Sequence, residues 1–175
     1  MSEGLGHAEP AQRAGEAFAG SHLVFADEGA RIVALDGKRE RADLLDHGTL
    51  YVARFDADGQ GRWIALTHGT GPLTAANGFA DPGEVMIKTR QASDLLGATR
   101  MDRLEWIAID SQGWVYCTLT NNSSRGAKDM PGVDAANPRA NNSMGHIIRW
   151  KEDGDHDGTT LQWNYFVLAG DNFNE

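Results

Sequence analysis

The stretch LLGATRMDRLEWIAIDSQGWVYCTLTNNSSRG, residues 95–126, sets how the rest of the chain is read. Inside it, EWIAI and WVYCTL are β-branched and aromatic, and they flank the turn formers DSQG, which is the pattern of a β-hairpin. Just ahead of the hairpin stand Asp102, Arg103 and Glu105, and just after it Asn121 and Asn122. A guanidinium can grip phosphate oxygens through two parallel hydrogen bonds, and a carboxylate can ligate a hard cation such as calcium. Residues two apart on a strand share a face, which predicts that Arg103 and Glu105 project the same way. The plainer reading of the cluster is a surface ion pair at a strand end.

The same pattern recurs on both sides. TLYVARF (49–55) and RWIAL (62–66) enclose DADGQG, and HIIRW (146–150) and LQWNYFVL (161–168) enclose KEDGDHDGTT. SHLVFADEGARIVAL (21–35) gives a less regular hairpin around DEGA. An aromatic strand, an Asp/Gly turn and a second aromatic strand recur at separations of about forty to sixty residues, the spacing of propeller blades with inserted loops. A closed propeller has 4–8 blades of roughly 40–45 residues, which leaves this chain no margin for its long loops. The expected fold is therefore all-β and β-propeller-like, a partial propeller of consecutive blades. One short helix is predicted near residues 84–96, with Val85, Ala92, Leu95 and Leu96 on one face and Gly97 just past its end. Residues 67–83 form a long loop of turn formers, a kind more often functional than decorative. Residues 1–20 read as a mobile N-terminal tail and 21–175 as the partial β-propeller domain.

A net charge of −9 argues against a general nucleic-acid binder, which needs a basic face. Acid is concentrated at residues 152–175, where Glu152, Asp153, Asp155, Asp157, Asp171 and Glu175 occur without any Lys or Arg. Cys117 is the single cysteine, so neither an internal disulfide nor a cysteine-cluster zinc site can form. Its apolar strand predicts a buried structural thiol. The histidines show no metal-ligand spacing. DADGQG and DGDHDG look like pieces of calcium loops, and the second places Asp153, Asp155, Asp157 and Gly158 in EF-hand register. Asn164 stands where the bidentate Glu belongs, so hairpin turns are the stronger reading of both. No apolar run is long enough for a membrane span, and the first twenty residues lack a signal-peptide pattern. As written, the chain is expected to be cytoplasmic or a segment of something longer.

The segments GTLYVARFDADGQGRW (48–63), GPLTAANGFADPGEVMIKTRQASDLLGATRMDRLEWIAI (71–109), VYCTLTNNSSRG (115–126) and ANPRANNSMGHIIRW (136–150) together resemble the PhoX-type alkaline phosphatases. The resemblance spans residues 44–171 and a middle portion of that longer family. It implies a β-propeller carrying a cluster of iron and calcium ions, hydrolysis of phosphate monoesters, and export to the periplasm. The family's Asp-Arg-Pro-Glu-Trp motif falls on Asp102, Arg103, Leu104, Glu105 and Trp106. By that match Arg103 would be the catalytic and substrate-binding residue, holding the phosphate, and Glu105 would be a metal ligand. Leu104 replaces the motif's proline, which loosens the backbone between the two. The family's remaining metal ligands, an iron-binding cysteine among them, are expected outside this chain, and Cys117 does not replace that ligand. The expected consequences are an incomplete active site with little or no turnover, and open sheet edges that favour self-association. The rival from another class is a non-enzymatic β-propeller module that binds calcium or a protein partner.

Overall fold

Successive side chains leave a strand on opposite faces, so alternating apolar residues build a sheet with a buried side. In the computed structural model, residues 24–26, 30–33, 48–154 and 158–170 are described, and among them eight strands form one antiparallel sheet. They are β1 (Val24–Ala26), β2 (Ala30–Val33), β3 (Thr49–Phe55), β4 (Gln60–Ala65), β5 (Leu104–Ile109), β6 (Val115–Leu119), β7 (His146–Glu152) and β8 (Thr160–Leu168). Their order in space is β1-β2-β3-β4-β8-β7-β6-β5. Two four-stranded meanders, β1–β4 and β5–β8, meet where Gln60–Arg62 of β4 pairs with Thr160–Gln162 of β8. A four-stranded meander is the blade unit of a propeller, so the all-β, propeller-like expectation holds. The repeating unit is two hairpins, however, where the sequence pattern pointed to one. The tail predicted at residues 1–20 lies outside the described residues.

Gly61 shows how tightly the meanders join. A Cβ there would lie 2.6 Å from Leu161 Cδ1 and 2.7 Å from the Arg54 carbonyl oxygen. Only glycine fits that approach.

Strand β3 is covered on both faces, and residue parity divides its side chains. Ala53 and Phe55 join Trp63, Val115, Cys117, Leu119, Ile148, Trp150, Leu161 and Trp163 in the main core. Val52 faces the other way, into a second core with Leu66, Leu73, Phe79, Val85 and Ala92. Leu73, Phe79 and Val85 lie in or just after the long loop at 67–83, and burial of such side chains stabilises by about 1.5–3 kcal/mol each. That loop, of a kind more often functional than decorative, also has a packing role on the back of β3.

The predicted single helix is two short ones, α1 (Pro82–Ile87) and α2 (Thr89–Leu96), broken at Lys88, whose φ of −98° and ψ of 33° leave the helical region. Asp81 caps α1 by accepting the Glu84 N–H at 2.9 Å, and Glu84 returns a bond to the Ala80 N–H at 3.0 Å. Gly97 ends α2 in the left-handed conformation, as expected. Ala92 is buried and Leu96 packs on the second core, but Leu95 lies to the side of that face of α2 and is 51% exposed. Among the described residues no helix is long and apolar enough to cross a membrane.

Candidate functional site

Each turn flanking the site is closed by its own aspartate. Asp110 accepts the N–H groups of Gln112 (2.8 Å) and Trp114 (2.9 Å) and the Tyr116 hydroxyl (2.9 Å). In the DADGQG turn, Asp56 pairs with Arg54 at 2.8 Å and Arg62 at 3.2 Å, and Asp58 accepts the Gln60 N–H at 3.0 Å. Both turns are hairpin turns by this bonding, and the first calcium-loop alternative falls away. In the second, Asp155 and Asp157 lie outside the described residues, while the Asp153 carboxylate accepts the Thr160 hydroxyl across the hairpin.

Ahead of β5 the chain is held from several directions. The Asp102 carboxylate is fully buried, and three donors converge on it. Arg125 Nε and Asn122 Nδ2 donate to Oδ1 at 2.8 Å each, and Asn142 Nδ2 donates to Oδ2 at 3.1 Å. The Asp102 N–H donates to Asn137 Oδ1 at 2.7 Å. Each partner is itself tied down. Arg125 donates to the carbonyls of Gly132 (3.0 Å) and Arg100 (2.6 Å), and Asn137 Nδ2 donates to Asp134 Oδ1 at 2.8 Å. The backbones of Asn122 and Asn142 form an isolated antiparallel bridge, with the Asn122 N–H 2.6 Å from the Asn142 carbonyl.

His146 completes the chain of bonds. Its Nε2 lies 2.7 Å from the Ala136 carbonyl, which can only accept, so Nε2 carries the proton. Nδ1 is then the acceptor that faces Asn142 Nδ2 at 3.4 Å. Burial lowers the imidazole pKa from its ordinary value; the Ala136 carbonyl and Asp102 oppose that shift, and Arg139 and Arg125 add to it. His146 is a neutral structural acceptor here.

Arg103 and Glu105 present the opposite picture. Both are exposed, and they flank Leu104, whose side chain packs against the main core. The register explains the exposure. Leu104 pairs with Leu119 and Trp106 with Thr118, so Glu105 is the extra residue of a β-bulge. Without the bulge, strict alternation would turn Glu105 inward with Ile107 and Ile109; the extra residue resets the phase and leaves Glu105 and Trp106 exposed. Neither the Arg103 nor the Glu105 side chain forms a hydrogen bond or ion pair with another described residue, so the surface ion-pair reading does not hold. The Arg103 carbonyl, by contrast, accepts the Thr120 N–H at 3.0 Å.

A groove of about 650 Å³ is lined by Arg54, Asp94, Arg100 and Asp134 among others, and by neither Arg103 nor Glu105. Its charges are matched, with Arg54 on Asp56 and Arg100 on Asp94, so it presents no unbalanced surface to an anion. Among the described residues no group of three or more His, Cys, Asp or Glu could hold a metal ion. The described residues therefore do not fit the full iron and calcium set. Cys117 sits in the main core with no exposed surface, and burial pushes its thiol up to about 12.

The sequence pattern pointed to Arg103 and Glu105 but not to the bonds that fix the backbone around them. Asp102, Asn122, Arg125, Asn137, Asn142 and His146 are spread over loops with no shared period. One usable signal was the repeated Asn-Asn-Ser: in each copy the second asparagine, Asn122 or Asn142, turns towards Asp102, while Asn121 and Asn141 are exposed.

A family model described as alkaline phosphatase PhoX matches residues 29–175. The solved structure of Pseudomonas fluorescens PhoX in complex with vanadate, a transition state analogue, matches with 48% sequence identity and a TM-score of 0.74. The match covers 82% of this chain and 28% of that one, so the chain spans 28% of that protein's length. No curated protein matches the chain.

Proposed function

We propose, since the chain belongs to the alkaline phosphatase PhoX family, that it is a phosphatase-like protein acting on phosphate monoesters, with Arg103 as the residue that holds the phosphate. The observation that carries this reading is the contrast at 102–105. The backbone is fixed by a buried network, yet the guanidinium and carboxylate it presents are exposed and free of described partners. The vanadate complex of the relative supports the same substrate class, because vanadate imitates a phosphoryl group in transfer.

Arg103 would take two phosphate oxygens through its parallel N–H donors and stabilise the charge that builds on the equatorial oxygens. Leu104, anchored on the core, keeps Arg103 and Glu105 apart along the strand start. Glu105 would contribute a carboxylate to the iron and calcium set that the family resemblance implies. The described residues hold no complete set of that kind, and low turnover by this chain is the expectation. Strand β5 ends the sheet order and carries Trp106 at 74% exposure, an open edge that favours self-association.

The test is calorimetric titration with vanadate, alongside hydrolysis of p-nitrophenyl phosphate with added calcium and iron. Arg103→Ala is expected to weaken vanadate binding tenfold or more while leaving the melting temperature unchanged. Binding that is indifferent to Arg103→Ala sinks the assignment. Calcium binding that survives Glu105→Ala but not Asp155→Ala would instead favour the non-enzymatic rival.

A further inference from the structure

We propose that Asp102 is a positioning residue for phosphate capture: its buried carboxylate sets the backbone from which Arg103 and the Glu105 bulge project. This rests on the assignment of Arg103 as the phosphate-binding residue. Asp102 has no exposed surface of its own, so it cannot touch substrate and must act through its neighbours.

The geometry gives the reason in three steps. First, the donors on the Asp102 carboxylate come from Asn122, Arg125 and Asn142, which lie near the two ends of the single connection between β6 and β7. Both ends of that connection are thereby drawn onto the residue that immediately precedes Arg103. Second, the Asp102 N–H is held by Asn137 and the Arg103 carbonyl by the Thr120 N–H, so the peptide segment between them is fixed at both ends. Third, all three side-chain contacts on the carboxylate are donors. A carboxylate is acceptor-only and can take all of them, whereas an amide has one acceptor oxygen and one NH₂ group. Asn at this position would set its NH₂ against at least one donor, so negative charge and acceptor count are both required at nearly constant shape.

Asp102→Asn is therefore the probe, read in two ways. Amide hydrogen exchange compares Thr120, which reports on the Arg103 backbone, with Trp163, whose N–H is bonded to the Gly59 carbonyl at 2.8 Å in the β4–β8 seam. Thr120 protection is expected to fall at least tenfold more than Trp163 protection, whereas a general loss of stability would lower both alike. Vanadate titration supplies the second reading: Asp102→Asn should weaken binding about tenfold, and the Asp102→Asn, Arg103→Ala double variant should bind no more weakly than Arg103→Ala alone. Equal loss of protection at the two amides, or additive losses of affinity, overturns the proposal.

Should Asp102→Asn fail to fold, Asn122→Ala removes one donor, leaves the Asp102–Arg125 pair in place, and is read identically. An unaltered chain that does not bind vanadate would count against the phosphate-binding assignment alone. The exchange comparison then decides the role of Asp102: a loss confined to Thr120 supports it and a uniform loss overturns it.

Discussion

The Asp102 carboxylate lies 2.8 Å from the Arg125 Nε, and the two side chains expose 0% and 1% of their surface. Removing two charges from water is costly, and that cost is offset by further bonds: Asn122 and Asn142 donate to the carboxylate, and the carbonyls of Gly132 and Arg100 accept from the guanidinium. Arg125→Met leaves the carboxylate buried without its counter-charge and is expected to cost about 3–5 kcal/mol. The double replacement Asp102→Leu, Arg125→Met should cost less than the sum of the single changes, because no unpaired charge remains. Urea unfolding of the three variants measures both. Strict additivity would show that the two residues contribute independently.

Gly145 closes the same network from below. Its N–H donates to Asn142 Oδ1 at 3.0 Å, its φ is 74°, and a Cβ there would stand 2.4 Å from the Leu119 carbonyl oxygen. Gly145→Ala combines left-handed strain with a clash against backbone that cannot swing away. The expected loss exceeds the roughly 1–3 kcal/mol of strain alone. It is checked by the denaturant midpoint. A change below about 0.5 kcal/mol, the usual range for a surface site, would contradict the geometry.

Most of the scaffold was legible because local chemistry and tertiary packing agree there. TLYVARF alternates, and its two parities do go to two different cores. HIIRW places His146, Ile148 and Trp150 inward as period two requires. Legibility failed where a single residue resets the period. EWIAI reads as a strand with Glu105, Ile107 and Ile109 on one face, yet the bulge at Glu105 takes that residue out of the phase. It failed again where partners are distant in sequence. Asp102 meets Asn142 across 40 positions, and nothing local to either residue encodes the contact. Asp102 looks like a member of an exposed charged cluster until the fold buries it. The sequence pointed to Arg103 and Glu105 as a guanidinium near a carboxylate, while the bonds that fix the backbone there come from Asn137 and Thr120, distant in sequence.

Cys117 lies on β6 with no exposed surface, and burial pushes its thiol up to about 12. The thiolate is the reactive form, so at pH near 8 the folded chain should react with a thiol reagent far more slowly than a free cysteine, whose pKa is about 8.5. Adding denaturant should restore ordinary reactivity in one step with unfolding. Fast labelling of the folded chain would place Cys117 outside the core.

The sign of the acid response follows from His146. The imidazole is held neutral, with Nε2–H given to Ala136 and Nδ1 turned to the Asn142 amide. A proton added at Nδ1 would oppose an N–H donor. Burial disfavours the charge first, Arg139 and Arg125 repel it, and the Ala136 carbonyl and Asp102 favour it; the net effect holds the folded pKa below the ordinary 6.5. The unfolded chain therefore takes up a proton near pH 6.5 while the folded chain does so only at lower pH. The stability that His146 contributes is fully present above that value, declines as pH falls from it through the folded pKa, and falls no further below. One proton corresponds to a slope of at most about 1.4 kcal/mol per pH unit within that window. Urea midpoints measured from about pH 5 to 8 should show this decline. His146→Gln retains a donor for Ala136 and an acceptor for Asn142 but cannot titrate, so its profile should be flatter over the same range. Identical profiles for the two proteins would assign the acid response to other groups.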